Sequence, residues 1–165
     1  MTSAGPATPA GPAMPDGPAA PDGPSPVFGE PAGHLDVPGG RVAYWRVSAP
    51  GARGIPLLCL HGGPGMTHNY LAPLSALADE RPVIFYDQLG CGESDRPADE
   101  SLWTVERSVA EVAAVREALG LDAMHLFGNS WGGWLAVSYV LDRQPPLASL
   151  TLSSSPPSTA RFVAG

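Results

Sequence analysis

The stretch that decides the fold is HLFGNSWGGWLAV, residues 125–137. An apolar strand ends near Phe127, the glycine-rich segment GNSWG (128–132) follows, and an apolar helical pattern starts at once. The segment fits G-x-S-x-G, in which small neighbours allow a serine to occupy a strained turn between a strand and a helix. The turn holds the hydroxyl clear of the sheet, and the helix N-terminus favours negative charge beside it. Ser130 is therefore the candidate nucleophile, and a glycine-rich turn with an incidental serine is the alternative.

Outward from this turn, apolar runs alternate with helical patterns. A hairpin is predicted at 34–47, followed by buried strands at 55–60, 82–87 and 124–128. A fourth strand is predicted at 147–154, at the edge of the sheet. Helices are predicted at 69–80, 104–120 and 131–143. The first of these helices requires Pro73 to fall in its first turn, where the missing N–H costs little. The alternation predicts an α/β fold with a mostly parallel sheet and helices on both faces.

Two further glycine clusters each follow a buried strand. They are LHGGPG (60–65) and FYDQLGCGES (85–94). The carboxyl ends of parallel strands are where open α/β sheets place their ligands, so all three clusters are expected at one edge. Acyl transfer needs two donors at the developing oxyanion. The predicted donors are the N–H of Trp131 and the N–H of Gly62 or Gly63.

Several polar residues near these clusters have structural interpretations. Asp87 is expected to accept hydrogen bonds from its glycine-rich loop, and Cys91 to lie near the cleft without a catalytic role. His61 is expected to anchor its loop through hydrogen bonds. His68 is expected to cap a helix or to lie exposed, and His125 to pack within a strand or at an edge.

HGGPG, YDQLGCGES and GNSWGG, in this order and spacing, resemble the proline iminopeptidase family of α/β-hydrolase serine peptidases. HGGPGMTHNYL is similar to the branch that contains the tricorn-interacting aminopeptidase, and the resemblance covers roughly residues 34–160. It implies that Ser130 is the nucleophile and that Gly63 and Trp131 donate to the oxyanion. It also implies that His61 and Gly62 belong to the substrate-binding loop. The implied activity is release of N-terminal residues, often proline, from short peptides without a metal or cofactor.

A serine nucleophile needs a base and an orienting acid, which follow it along the chain in this fold. The 35 residues after Ser130 contain no histidine and one acid, Asp142. We therefore expect the chain to be an N-terminal fragment that stops before the cap and the last strands, and to be inactive alone. The alternatives are an esterase or amidase on the same scaffold, for a small ester or amide substrate, and a non-catalytic binding module.

Composition limits the remaining choices. The net charge is −7, and all nine basic residues are arginines that begin at Arg41, so nucleic acid is not an expected partner. No apolar run approaches the roughly 18 residues of a membrane span, and no signal peptide is evident, so a cytoplasmic protein is expected. Cys59 and Cys91 form no disulfide or zinc pattern. Residues 1–26 are predicted to be a disordered tail rich in Pro, Gly and Ala, ahead of one domain at 27–165.

Overall fold

The computed structural model of the chain describes residues 28–155, and the tail predicted at 1–26 lies outside this range. The described part contains one six-stranded sheet. Its strands are β1 (Gly33–Val37), β2 (Gly40–Val47), β3 (Leu57–Leu60), β4 (Val83–Tyr86), β5 (Met124–Asn129) and β6 (Leu147–Ser153).

The strand order is β1-β2-β4-β3-β5-β6. The hairpin β1–β2 is antiparallel and pairs antiparallel with β4, whereas β4, β3, β5 and β6 run parallel. Cys59 lies opposite both Phe85 and Phe127. This register brings the carboxyl ends of β3, β4 and β5 together at one edge, as predicted. The mostly parallel α/β sheet is confirmed.

Helices cover both faces of the sheet. Helix α1 (Val105–Ala118) and helix α2 (Trp131–Arg143) pack on one face. A 3-10 helix, His68–Asp79, packs on the other. Because both faces are covered, every residue of β3 and β4 is buried, which is why these strands are continuous apolar runs.

Helix α1 follows directly from its sequence. The Thr104 side chain accepts a hydrogen bond from the Arg107 backbone N–H at 3.2 Å, so it caps the helix as its residue type predicts. Val109, Val112 and Val115 are buried on the side that faces the sheet. The helix predicted at 104–120 is confirmed, with Thr104 as its cap and valines on its buried side.

The segment at 68–79 differs from its prediction. It winds as a 3-10 helix, and Pro73 lies near its middle rather than in the first turn. Proline in the interior of an α-helix removes a hydrogen bond and clashes with the carbonyl four residues earlier. The segment instead has the tighter 3-10 winding, whose hydrogen bonds run to the residue three positions earlier.

Strand β6 forms one edge of the sheet within residues 28–155. Most of its residues are exposed, including Leu150 at 37% and Leu152 at 47%. Neither face of this strand is covered as β3 and β4 are. Across 28–155 no helix is both long enough and apolar enough to cross a membrane.

Candidate active site

Ser130 occupies the turn between β5 and α2 in a backbone conformation that few L-residues adopt. Its φ is 53° and its ψ is −119°. Such a conformation costs on the order of 1–3 kcal/mol and persists only when the surroundings hold it. The Ser130 N–H donates to the Ser153 carbonyl at 2.9 Å, and the N–H groups of Gly133 and Trp134 donate to the Ser130 carbonyl. The strained residue is thereby tied to β6 and to the first turn of α2.

The two glycines of the G-x-S-x-G pattern are required by backbone contacts. A Cβ added at Gly128 would collide with the backbone of Gly132 and Gly133. A Cβ added at Gly132 would collide with the carbonyls of Leu60 and His61 at the end of β3. Without side chains at these positions, α2 approaches the strand ends closely enough to place its N-terminus beside Ser130.

The HGGPG loop lies against the serine turn. A Cβ added at Gly62 would be 3.2 Å from Cβ of Ser130. The Gly62 N–H donates to the Tyr70 hydroxyl at 2.6 Å, and that hydroxyl donates to Oδ1 of Asn129 at 2.8 Å. Tyr70 therefore joins the loop to the residue before Ser130. Tyr70 lies within HGGPGMTHNYL, but the sequence analysis gave it no role, because its partner Asn129 is 59 residues away.

Gln88 connects the ends of three strands. Its Nε2 donates to the His61 carbonyl at 2.8 Å, and its Oε1 accepts from the Trp131 indole at 2.9 Å. Its backbone N–H donates to Nε2 of His61 at 2.9 Å. Through these bonds the end of β4 holds both the HGGPG loop and the first residue of α2. Gln88 was not predicted as a site residue.

His61 anchors its loop, as predicted. Its Nε2 accepts from Gln88, so Nδ1 carries the proton that is donated to the Gly62 carbonyl at 2.8 Å. Burial lowers the pKa of the imidazole, and the hydrogen bond to Gly62 offsets only part of this effect. His61 is fully buried, so it holds the loop from within through its contacts with Gly62 and Gln88.

Asp87 braces the site as predicted. Its Oδ2 accepts from the Glu93 N–H at 3.1 Å, and its Oδ1 accepts from the N–H and Nδ1 of His68 at 3.0 and 2.8 Å. Burial raises the pKa of the carboxyl, but the hydrogen bonds from His68 and Glu93 outweigh it, and the net pKa is lowered. The expectation of an exposed or capping His68 was wrong, because its ring is buried and stacks on Trp45 at 3.9 Å.

A buried acid in α1 supports the loop after β4. The carboxylate of Glu111 accepts from the Leu89 N–H at 3.3 Å and pairs with Arg107 one turn earlier. Burial raises the pKa of Glu111, and the Arg107 guanidinium opposes this shift. The i, i+4 spacing of Arg107 and Glu111 was visible in the sequence, but nothing there indicated that the pair is buried.

Three further titratable residues have structural rather than catalytic surroundings. His125 is near the amino end of β5, where its ring nitrogen Nδ1 is 2.8 Å from Oγ of Ser149. Asp142 is exposed and pairs with Arg143. Burial raises the pKa of the Cys91 thiol to about 11, so the thiol is not activated. Over residues 28–155, no group of three or more His, Cys, Asp or Glu side chains is arranged to hold a metal ion.

A buried parallel sheet, a strained serine between strand and helix, and a glycine loop beside it define an α/β-hydrolase. A family model described as the alpha/beta hydrolase fold matches residues 55–164, and the chain belongs to that family. Within it, the chain is 49% identical over 122 residues to the proline iminopeptidase of Heyndrickxia coagulans. That match covers 74% of this chain and 42% of the relative.

Solved structures agree with these matches. The crystal structure of proline iminopeptidase from Mycobacterium smegmatis superposes with a TM-score of 0.74 and 38% identity, over 80% of this chain and 46% of that one. The crystal structure of VinJ gives a TM-score of 0.71 and 33% identity, over 81% and 50% of the two chains. The chain therefore spans half or less of the length of these relatives.

Proposed function

We propose that this chain carries the nucleophile and the oxyanion hole of a serine aminopeptidase of the proline iminopeptidase type. Ser130 is the nucleophile, and the N–H groups of Gly63 and Trp131 are the oxyanion donors. His61 and Gly62 shape the loop that receives the substrate. The observation that carries the proposal is the strained backbone of Ser130 at the N-terminus of α2, beside the HGGPG loop.

The choice of Gly63 over Gly62 rests on hydrogen bonding. The Gly62 N–H already donates to Tyr70, so that donor is not free for a substrate oxygen. The Trp131 N–H is in the first turn of α2, where backbone donors have no partner within the helix. Two N–H groups held by the Gln88 and Tyr70 hydrogen bonds need little reorganisation when charge develops on the substrate.

In the proposed reaction, Oγ of Ser130 attacks the carbonyl carbon of the scissile amide, and its proton passes to a base. The base later protonates the leaving amine, and water releases the acyl group from the serine. Neither His61 nor His68 fits this role, and His125 lies near the amino end of β5. Both ring nitrogens of His61 are occupied, and His68 is buried against Asp87. We therefore propose that the base and its acid lie outside residues 28–155.

The proposed substrate is a short peptide with a free N-terminal proline. Support comes from the proline iminopeptidases among the relatives and from the joint presence of the three glycine motifs. A site that recognises a free N-terminus pairs its own polar groups with the substrate's ammonium. When the amine is blocked, those groups of the site are left without a partner. Acylation of the amine is therefore expected to cost far more than a change of leaving group.

The test uses residues 1–165 joined to a segment that supplies a histidine and an acid. It compares a prolyl aryl-amide, its N-acetyl form and an aryl acetate, in the original protein, in Ser130→Ala and in the control Ser138→Ala on α2. We expect cleavage of the free prolyl amide only, with kcat lost in Ser130→Ala and retained in the control. The chain alone is expected to keep at most the residual acceleration of an oxyanion hole, on the order of 10³–10⁴ over water.

Three other results would change the assignment. Equal cleavage of the acetylated amide or the acetate would replace the peptidase with an esterase or amidase on the same scaffold. Ordinary turnover by the chain alone, abolished by Ser130→Ala, would return His61 to consideration as the base. Binding without turnover in the completed protein would favour a non-catalytic module.

A further inference from the structure

A cavity of about 440 Å³ lies beside the proposed oxyanion hole. Its volume falls within the roughly 300–1,000 Å³ of small-molecule sites. Most of its lining is apolar, with the indole rings of Trp103 and Trp131 and the side chains of Pro64, Leu89 and Val105. Nothing in the proposed chemistry at Ser130 uses this space.

The cavity shares its walls with the proposed hole. Pro64 and Gly65 directly follow the proposed donor Gly63, and Trp131 contributes the other donor. A substrate carbonyl held by these two N–H groups therefore lies at the border of the cavity. One of the two residues that flank the scissile bond must point toward it.

Charge decides which residue that is. Among residues 28–155, Arg96 is the one charged residue that lines the cavity, and no acid of this range does. The guanidinium donates to the Gly92 carbonyl at 3.0 Å and forms no ion pair with any residue in 28–155. The nearby Arg107 is already paired with Glu111. A free ammonium would find no carboxylate here, whereas a free carboxylate would find a cation.

We propose that this cavity is the leaving-group site, which binds the residue on the C-terminal side of the scissile bond. Its apolar side chain packs against Trp103 and Trp131, and its free carboxylate pairs with Arg96. The preferred substrates are then dipeptides with a large apolar second residue. This proposal rests on the proposed function, because it takes the carbonyl position from the same two N–H groups.

The test is a binding titration on the 165-residue chain with the dipeptide Pro-Phe and with Pro-Phe-amide. The reporter is the indole N–H resonance of Trp103, and that of Trp45, which lies buried elsewhere, is the internal reference. We expect Pro-Phe to shift Trp103 but not Trp45. The amide should bind roughly twofold to fivefold more weakly, since exposed ion pairs contribute little. Arg96→Gln should abolish the difference between acid and amide. The exposed control Arg53→Gln should preserve it.

Equal binding of the acid and the amide, an unchanged difference in Arg96→Gln, or no response of Trp103 would overturn the proposal. The same titration on Ser130→Ala tests the leaving-group site separately from the proposed function. Binding in the cavity does not need the Ser130 hydroxyl, so the binding pattern should be retained in this variant. If the completed protein cleaves prolyl amides while Trp103 stays silent, only the leaving-group site fails. If the binding pattern holds but no turnover depends on Ser130, only the proposed function fails.

Discussion

Substituting Gly132 with alanine tests how closely α2 must approach the sheet. The added methyl group would meet the carbonyl oxygens of Leu60 and His61, which are backbone atoms at the end of a buried strand. No side-chain rotation relieves that contact, so either α2 or the end of β3 must move. A movement of α2 also carries Ser130 and Trp131 with it.

Two effects of opposite sign set the magnitude. Alanine is favoured over glycine within a helix by about 1 kcal/mol. Forcing an extra methyl into a packed site costs about 1–3 kcal/mol, and a contact with fixed backbone belongs at the upper end. The steric term therefore exceeds the helical gain, and the free energy of unfolding should fall by about 2 kcal/mol.

Urea titrations followed by tryptophan fluorescence measure this change. With a urea dependence of about 1–3 kcal/mol per molar, the midpoint should fall by about 1 M. Ser138→Ala in the same helix adds no atom and should shift the midpoint little. A midpoint for Gly132→Ala that is unchanged or higher would refute the reasoning, because it would show that helix propensity outweighs the contact with β3.

Two further predictions concern association and pH. The exposed edge strand β6 should promote self-association of the chain, which light scattering should detect. The substitution Leu152→Lys should reduce this association, and a monomeric original chain would contradict the prediction. Because burial lowers the pKa of His61, the unfolded chain takes up a proton that the folded chain refuses, so the free energy of unfolding should fall as the pH drops below about 6.5. Urea midpoints in His61→Gln should lose this dependence, and a midpoint that stays constant from pH 7 to 5 in the original chain would contradict it.

The strands and helices that could be predicted are those in which local pattern and burial agree. Strands β3 and β4 are apolar throughout because both faces are covered, and the stripe and cap of α1 are complete in its own sequence. The exception is the segment at 68–79, where the apolar pattern suited a helix but Pro73 determined its type.

The serine turn was predictable for the same reason. Its glycines and its flanking strand and helix lie within a few residues of one another, so the sequence alone indicates the strain. The groups that hold it are distant along the chain. Gln88 reaches Trp131 across 43 residues, and Tyr70 reaches Asn129 across 59. Each of these residues lies within a quoted motif, but no local pattern indicates which residue of another motif it contacts, and only the fold brings the pairs together.

The strain at Ser130 separates the catalytic hypothesis from a turn with an incidental serine. Glycine adopts a positive φ without the cost that a serine pays, so a turn under selection for stability alone is better served by glycine. Glycine is present at positions 128 and 132, where backbone contacts leave no room for a side chain. The positive-φ position between them, 130, is nevertheless a serine. Its unfavourable backbone is held by hydrogen bonds to Ser153 and to the first turn of α2. Gln144 and Ser154 also have a positive φ, so strain alone does not mark a nucleophile. The proposal for Ser130 rests on that strain together with its place at the N-terminus of α2 and beside the HGGPG loop.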